Sequence, residues 1–313
     1  MLDDIKKDAV TRMTKCVQTF QADLKKLRTG RAHPSLVEHL GAAARLIDIF
    51  VAPDPQPLEI VGGFCVYTSN CNWKVMHENG PDAYHAPVVH RNFADTIAFR
   101  ESRGSYEGLH KTERGRLTQR IESASYHLGN GHTAFWNERL TPEAFPIHAQ
   151  KDELEKRFTP EQMKWVMGRG RHMTIFPNLL LNDLASTHLR TYRPLGAERM
   201  ETTIWCIAPQ GEAADMREAR LRKFEDFFLP SGMATPDDIA ICEAAQQASW
   251  ALAGGRTDMS RGQAFKIDGP DEAAAALGMR PAESSNSWDH EIALQGVYRQ
   301  WLRMLSRPEA GDV

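Results

Sequence analysis

Apolar residues recur along the chain with two different periods. From residue 3 to 28, Ile5, Ala9, Met13, Cys16, Phe20, Leu24 and Leu27 are spaced by fours and threes, which predicts one long amphipathic helix with a single narrow seam. Lysines and Arg12 fill the rest of its surface. Asp3, Asp4 and Asp8 sit in the first turns, where the helix dipole favours them, and Gly30 and Pro34 end it. Such a seam needs partner helices to bury it. The same spacing at Leu40, Ala44, Ile47 and Val51 predicts a second helix over 40–52, closed by the prolines at 53, 55 and 57. Residues 58–69 alternate as a strand does, with Gly62 and Gly63 as a bulge, and Asn70 begins a turn into another helix. Residues 91–125 are polar and lack periodicity. A solvated loop with an exposed helix is expected there; a lid over a pocket is the functional alternative.

Further on, period two returns. Gly129-Asn130-Gly131 is a turn signal, followed by a strand-like stretch at 132–136. His132, inside it, either lines a pocket or is a satisfied core histidine. Residues 160–173 read as a helix ending at Gly168-Arg169-Gly170, and strands are expected over 174–182, 186–193 and 200–209. Strands in series with short connections argue for an antiparallel sheet, not βαβ units. A helix over 212–229 should bury Phe224, Phe227 and Phe228 and turn its arginines outward. A further helix opens at Pro236 and runs to about residue 252, 254–287 is loop-rich, and 288–305 forms a closing amphipathic helix. The predicted class is α+β.

At 313 residues the chain is long enough for a sizeable core, and its apolar and charged fractions, 42% and 25%, are ordinary for a globular protein. A net charge of -3 gives no overall attraction to nucleic acid or to an anionic membrane. The N-terminus is not a signal peptide and no apolar run is long enough to span a bilayer, so the cytoplasm is the expected compartment. The cysteines, Cys16, Cys65, Cys71, Cys206 and Cys242, are scattered and read as buried thiols. None is followed by histidine at the second or third position, so the pairs that hold a Rieske [2Fe–2S] cluster are not present.

The densest chemistry lies in residues 72–90, which hold His77, His85, His90, Glu78, Asp82, Asn72 and Asn79. His85 and His90 are ligand candidates, and Asp82 lies three residues before His85, close enough to fix its tautomer. Two histidines and a carboxylate with open positions beside them form the ligand set of non-haem Fe(II) oxygenases. In an ideal helix, however, positions five apart diverge by about 140°. Both rings reach one metal only if the helix is distorted, and Pro87 between them supplies a reason. A helix end with two surface histidines is the plainer alternative.

The whole string, Asn-Trp-Lys, then Glu-Asn, then Asp-x-Tyr-His-x-x-x-x-His, resembles the mononuclear-iron site of the Rieske-type aromatic-ring-hydroxylating oxygenases, alpha (large) subunit, and within them the members acting on benzoate and anthranilate. The resemblance continues downstream. Phe-Phe-x-Pro-x-Gly-x-x-x-x-Asp-Asp, residues 227–238, is where the family places its third ligand, although acidic residues in a first turn suit any helix. It implies mononuclear Fe(II) on His85, His90 and Asp238, with Asp82 relaying electrons and orienting a ligand histidine, and Asn79 beside the iron. The implied fold for residues 40–313 is a helix-grip, an antiparallel sheet around a C-terminal helix. The implied activity is dioxygenation of an aromatic carboxylate with O2. The implied partners are an alpha trimer with beta subunits and an external reductase and ferredoxin, with no nucleic acid and no membrane. The family's Rieske domain is expected to be absent.

Residues 1–39 resemble something else. Asp-Ile-Lys-Lys-Asp-Ala and Lys-Lys-Leu-Arg-Thr-Gly-Arg-Ala-His-Pro-Ser-Leu-Val are similar to the N-terminal helix of ribosome recycling factor, where Arg28 and Arg31 would face ribosomal RNA. The family's hinge, β domain and two long helices have no counterpart, so a fusion with its junction near residues 38–40 is expected. Two competing readings stand beside the enzyme: a non-catalytic remnant that binds iron or an aromatic ligand, and a ribosome-binding protein carried by the first helix.

Overall fold

The computed structural model describes Lys7, Val10, Thr11, Thr14, Lys15 and residues 34–51, 56–104, 121–251 and 256–306. The chain divides into two compact units, Met1–Gly41 and Ala42–Val313. In the first, the described residues of the expected long helix are all helical, and helix α1 spans Pro34–Leu40. The rest of residues 3–28, with Arg28 and Arg31, lies outside the described residues.

The second unit is built on a nine-stranded sheet, entirely antiparallel, in the order β1-β7-β6-β5-β4-β3-β2-β9-β8. Its strands are β1 (Leu58–Ser69), β2 (Ser123–Gly129), β3 (His132–Glu138), β4 (Arg169–Ile175), β5 (Leu179–Asp183), β6 (Thr187–Pro194), β7 (Met200–Pro209), β8 (Lys266–Asp268) and β9 (Glu283–Ser285). From β2 to β7 each strand pairs with the next; short connections join them except between β3 and β4, where residues 139–168 intervene. β1 closes on β7, and its register shifts between Val61 and Cys65, around the two glycines.

The helices are α2 (Ala43–Val51), α3 (Trp73–Asn79), α4 (Ala86–Val89), α5 (Arg91–Ser102), α6 (Ala214–Phe228), α7 (Thr235–Ala248) and α8 (Ile292–Leu305), with shorter turns between them. α8 packs over β2, β3 and β9, giving the sheet-around-helix arrangement expected for the class. No helix among the described residues is long and apolar enough to cross a membrane.

Several local expectations change. α2 buries Ala43, Leu46, Ile49 and Phe50, not the face through Ala44, Ile47 and Val51, and its Ile49 carbonyl accepts from the buried Arg171. The stretch read as one strand over 174–182 is the hairpin between β4 and β5, folded at residues 176–178 around Pro177. The helix read over 160–173 ends at Gly168, and Arg169 already begins β4. Helix α6 buries its three phenylalanines as expected, but it also buries Arg220, whose guanidinium pairs with Glu212. The polar stretch after residue 91 is not a loop at its start. α5 turns Phe93, Ala94 and Ile97 into the core, and residues 105–120 lie outside the described residues.

Two apolar clusters set where the helices sit on the sheet. Phe93, Ile97, Phe224, Phe227 and Phe228 pack α5 and α6 onto Ile204 and Cys206 of β7. Met76 and Cys242 pack α3 and α7 onto Leu180, Tyr192 and Met200. Each large side chain so buried stabilises the fold by roughly 1.5–3 kcal/mol, so the gap between these clusters is held from both sides.

Candidate metal centre

The sequence places a break at each histidine. Asn72 caps α3, its side chain accepting from the Lys74 amide, and the helix stops at Gly80 before Pro81. A Cβ at Gly80 would lie within 3.3 Å of the side chains of both Leu180 and His172, so a side chain there would require these neighbours to shift by a few tenths of an ångström. His85 then caps the single turn of α4, with Pro87 in its first positions, and His90 is both the last cap of α4 and the first cap of α5. The two histidines, five residues apart, thus flank one turn of helix instead of lying along a single bent one. Their rings come to 5.2 Å, nearly perpendicular. The distortion foreseen at Pro87 falls instead at the two histidines, because proline's fixed φ suits the start of a helix.

Asp238 approaches from the other side. Between α6 and α7 the chain reverses over residues 229–234, where the Met233 amide bonds to the Asp226 carbonyl at 2.6 Å. A Cβ at Gly232 would sit 2.5 Å from the Glu225 carbonyl oxygen, so only glycine fits this reversal. The Thr235 hydroxyl donates to the Phe228 carbonyl at 2.9 Å, and Asp237 and Asp238 follow in the first turn of α7.

These elements bring one ligand atom each from His85, His90 and Asp238 within 4.8 Å of one another, the one such cluster found among the described residues. Asp238 Oδ1 lies 3.5 Å from His85 Nε2 and 3.2 Å from His90 Nε2. On the far side of the His85 ring, Nδ1 meets Asp82 Oδ2 at 3.3 Å, and Asp82 Oδ1 accepts from the Tyr84 amide at 2.8 Å. Asp82 therefore fixes the Nδ1–H tautomer and turns the Nε2 lone pair inward. Asn79 Nδ2 donates to Asp238 Oδ1 at 3.0 Å and lies 3.3 Å from His85 Nε2, so it serves the same two atoms that a cation would take. His90 Nδ1 and Asp237 Oδ2 are buried, face each other at 4.0 Å and lack hydrogen bonds, a second carboxylate–imidazole pair beside the ligands.

The electrostatics fit a cation. Burial alone would raise the Asp238 carboxyl, but His90, His85 and the Asn79 amide hold it below its ordinary range. Burial alone would lower His85, yet the Asp82 hydrogen bond and the charges of Asp238 and Asp82 push it up. Both shifts reflect the pairing of Asp238 with the two imidazoles where the three atoms converge. Two neutral imidazoles and one carboxylate, with one imidazole oriented from behind, form a donor set suited to a divalent first-row metal.

The centre opens on a cavity between helices and sheet. Its floor is one face of the sheet, Phe135, His172, Leu180, Asn182 and Arg190, and its walls include Phe227, Phe228 and Trp288. The floor follows from register: Phe135 faces His172, His172 faces Asn182, and Leu180 faces Arg190. Burial pushes the His172 imidazole down to about 3, so it is neutral, and it stacks on Phe135 at 4.9 Å. All five residues singled out from the sequence, Asn79, Asp82, His85, His90 and Asp238, line this cavity. His132 does not. It is fully buried, and its Nδ1 accepts from the Phe176 amide at 2.9 Å. Arg190, His172 and Asn182 were missed. For Arg190 the signal was the alternation of β6, where His188, Arg190 and Tyr192 share a face.

Residues 61–306 match the family described as ring hydroxylating alpha subunit (catalytic domain). The toluate 1,2-dioxygenase subunit alpha of Pseudomonas putida is 36% identical over 270 residues, covering 86% of this chain and 59% of the relative. The 2-halobenzoate 1,2-dioxygenase large subunit of Burkholderia cepacia is 33% identical over 270 residues, 86% of this chain and 58% of its own length. The anthranilate 1,2-dioxygenase large subunit of Acinetobacter baylyi is 30% identical over 282 residues, 88% and 60%. The chain thus spans less than two thirds of the curated relatives it matches. The structure of naphthalene 1,2-dioxygenase from Rhodococcus sp. bound to indole superposes with a TM-score of 0.67 at 20% identity, over 87% of this chain and 62% of that one, which shows a shared fold. A family pattern running from β1 to α8, together with relatives at this identity, places the chain in the ring-hydroxylating oxygenase alpha subunit family, as its catalytic domain.

Proposed function

We propose that this chain dihydroxylates an aromatic carboxylate at a mononuclear Fe(II) held by His85, His90 and Asp238. The observation that carries the reading is the convergence of those three ligand atoms within 4.8 Å at the mouth of an aromatic-walled cavity. The relatives supply the substrate class, since toluate, 2-halobenzoate and anthranilate are all benzoates. When bound, Fe(II) supplies activation of dioxygen. The chain's own residues do the rest. Asp82 holds the His85 ring so that Nε2 faces the metal position, and Asn79 donates to Asp238 Oδ1. Phe227, Phe228, Phe135 and Trp288 enclose the aromatic ring and limit which edge it presents to the metal.

Adding both atoms of O2 across one ring bond consumes two electrons and two protons. Residues 1–313 hold no cysteine–histidine pair for a Rieske cluster, so in this reading the electrons reach the centre from outside these residues. The partly exposed Asp82 edge, beside the exposed Tyr84, is where such a donor would dock. An alpha trimer with beta subunits, fed by a reductase and ferredoxin, is the assembly this reading expects. Residues 1–39 are read as an appended segment outside the catalytic domain, with no role in ribosome recycling.

Anaerobic reconstitution tests the centre. The chain should take up one Fe(II), and His85→Ala should lose it while retaining the fold by far-UV circular dichroism. Retention of stoichiometric iron by the alanine variant would show the ligand assignment to be wrong.

A further inference from the structure

Among the described residues, four arginines are buried: Arg139, Arg171, Arg190 and Arg220. Three have carboxylate partners. Arg139 and Arg171 both meet Asp183, and Arg220 meets Glu212. Arg190, only 5% exposed, has no such pair, and its Nε has no hydrogen-bond partner. It is also the cationic side chain, among the described residues, that lines the cavity of the metal centre. Its neighbours are the Tyr192 hydroxyl, which interacts with the guanidinium as a hydrogen-bond partner, the Tyr67 hydroxyl and, beyond ion-pair distance, Asp238. A buried guanidinium without a carboxylate is unfavourable unless something anionic completes it.

We propose that Arg190 is the carboxylate anchor of the cavity and that its ligand class is an aromatic monocarboxylate. This rests on the aromatic-carboxylate reading above and adds the residue that enforces it. Arg190 stands on the sheet floor opposite Leu180 and Ile204, while His85, His90 and Asp238 converge from the helices above. A flat ring between them, its carboxylate forked onto the guanidinium, is held by one end. The other constraint is the wall formed by Phe135, Phe227, Phe228 and Trp288. Anchoring the carboxylate thus decides which ring bond faces the metal. His172, neutral and with an unpartnered buried Nδ1, is a second polar group on the same floor. With a divalent cation on the three ligands, the ionised groups lining the cavity, Arg190, Asp82 and Asp238, leave it net positive, which favours an anionic guest over a neutral one of the same shape.

The test compares benzoate with benzamide, a neutral ligand of nearly the same shape, by anaerobic calorimetric titration of the full chain, with iron content and circular dichroism measured on each sample. The wild type should bind benzoate at least about tenfold more tightly than benzamide. Arg190→Met should weaken benzoate about 10- to 100-fold, the range of a charge-assisted hydrogen bond, and leave benzamide within about threefold. Arg190→Lys, which keeps the charge but not the fork, should fall between them.

Equal binding of benzoate by wild type and Arg190→Met, or no preference for benzoate over benzamide in the wild type, would overturn the anchor. So would a preference that vanishes when iron is chelated, because the carboxylate would then be bound to the metal. If Arg190→Met does not fold, the Lys variant and the wild-type ratio decide. Stoichiometric iron with no benzoate preference sinks the anchor alone. A benzoate preference that depends on Arg190 in a chain that takes up no iron supports the anchor and sinks the iron reading.

Discussion

Replacing Asp82 with alanine removes two hydrogen bonds at once. Oδ2 no longer accepts from His85 Nδ1, a 3.3 Å contact, and Oδ1 no longer accepts from the Tyr84 amide at 2.8 Å. The first fixes the ring that carries a proposed ligand atom; the second fixes the turn on which that ring is mounted. Loss of the carboxylate behind a ligand histidine lowers metal affinity by about 10- to 100-fold, or roughly 1.4–2.7 kcal/mol. The structure argues for the upper half of that range. The His85 side chain is only 18% exposed, so water cannot freely replace the lost acceptor, and both effects fall on the same turn. Asp82→Asn keeps one acceptor oxygen, enough for either His85 Nδ1 or the Tyr84 amide but not for both, and gives up the charge, so its loss should be smaller than that of alanine, about threefold to tenfold. The assay is anaerobic Fe(II) titration against a competing chelator, with circular dichroism to confirm the fold. An Asp82→Ala variant within about threefold of wild type would refute the reasoning. An asparagine variant as weak as the alanine one would show that the single retained acceptor contributes nothing, and that the full carboxylate is required.

Three further outcomes are expected. Asp183 is held down to about 2, because Arg139, Arg171 and Thr187 outweigh the effect of its burial, so its ion pairs stabilise fully above the ordinary carboxyl value of 3.8 and lose that contribution as pH falls toward 2. That gap corresponds to about 2 kcal/mol. Asp183→Asn should therefore lower stability at pH 7 by at least this much in urea melts, with the difference from wild type shrinking below about pH 4; a loss under about 0.5 kcal/mol would contradict the network. Deleting residues 1–39 should leave the melting temperature nearly unchanged, and a large drop would show that the segment is integrated with the catalytic unit. With iron bound, hydrogen peroxide, which carries both oxygen atoms and both electrons, should give slow dihydroxylation of benzoate, whereas NADH with a reductase and ferredoxin alone, without a Rieske-bearing protein, should give none; steady NADH-dependent turnover by the isolated chain would reveal an electron route within it.

The sequence by itself determined the fold class and much of the element order. Alternation in residues 58–69 and the β-branched and aromatic residues of 200–209 marked β1 and β7 to their observed ends, because both are local properties of a strand. The phenylalanines of α6 and the break at residues 230–232 were legible for the same reason. Spacing raised His85, Asp82 and His90 as candidates, whereas Asp238 and Asn79 came from the likeness to a known family, since nothing local distinguishes an acidic helix start from a ligand.

What only the tertiary structure decided was geometry across the chain. His85 and His90 converge because each sits at a helix boundary, not because a helix bends between them. The hairpin hidden in residues 174–182, the inward turn of Arg220 and the different buried face of α2 all depend on partners far away in sequence. Arg190 is the clearest case. Its strand position said that it shares a face with His188 and Tyr192, but that this face is the floor of a cavity roofed by residues 79–90 and 238 follows only from sheet register and from helices packed over it. Periodicity is written in neighbouring residues, whereas a cavity is the space left between elements that meet only when the chain is folded.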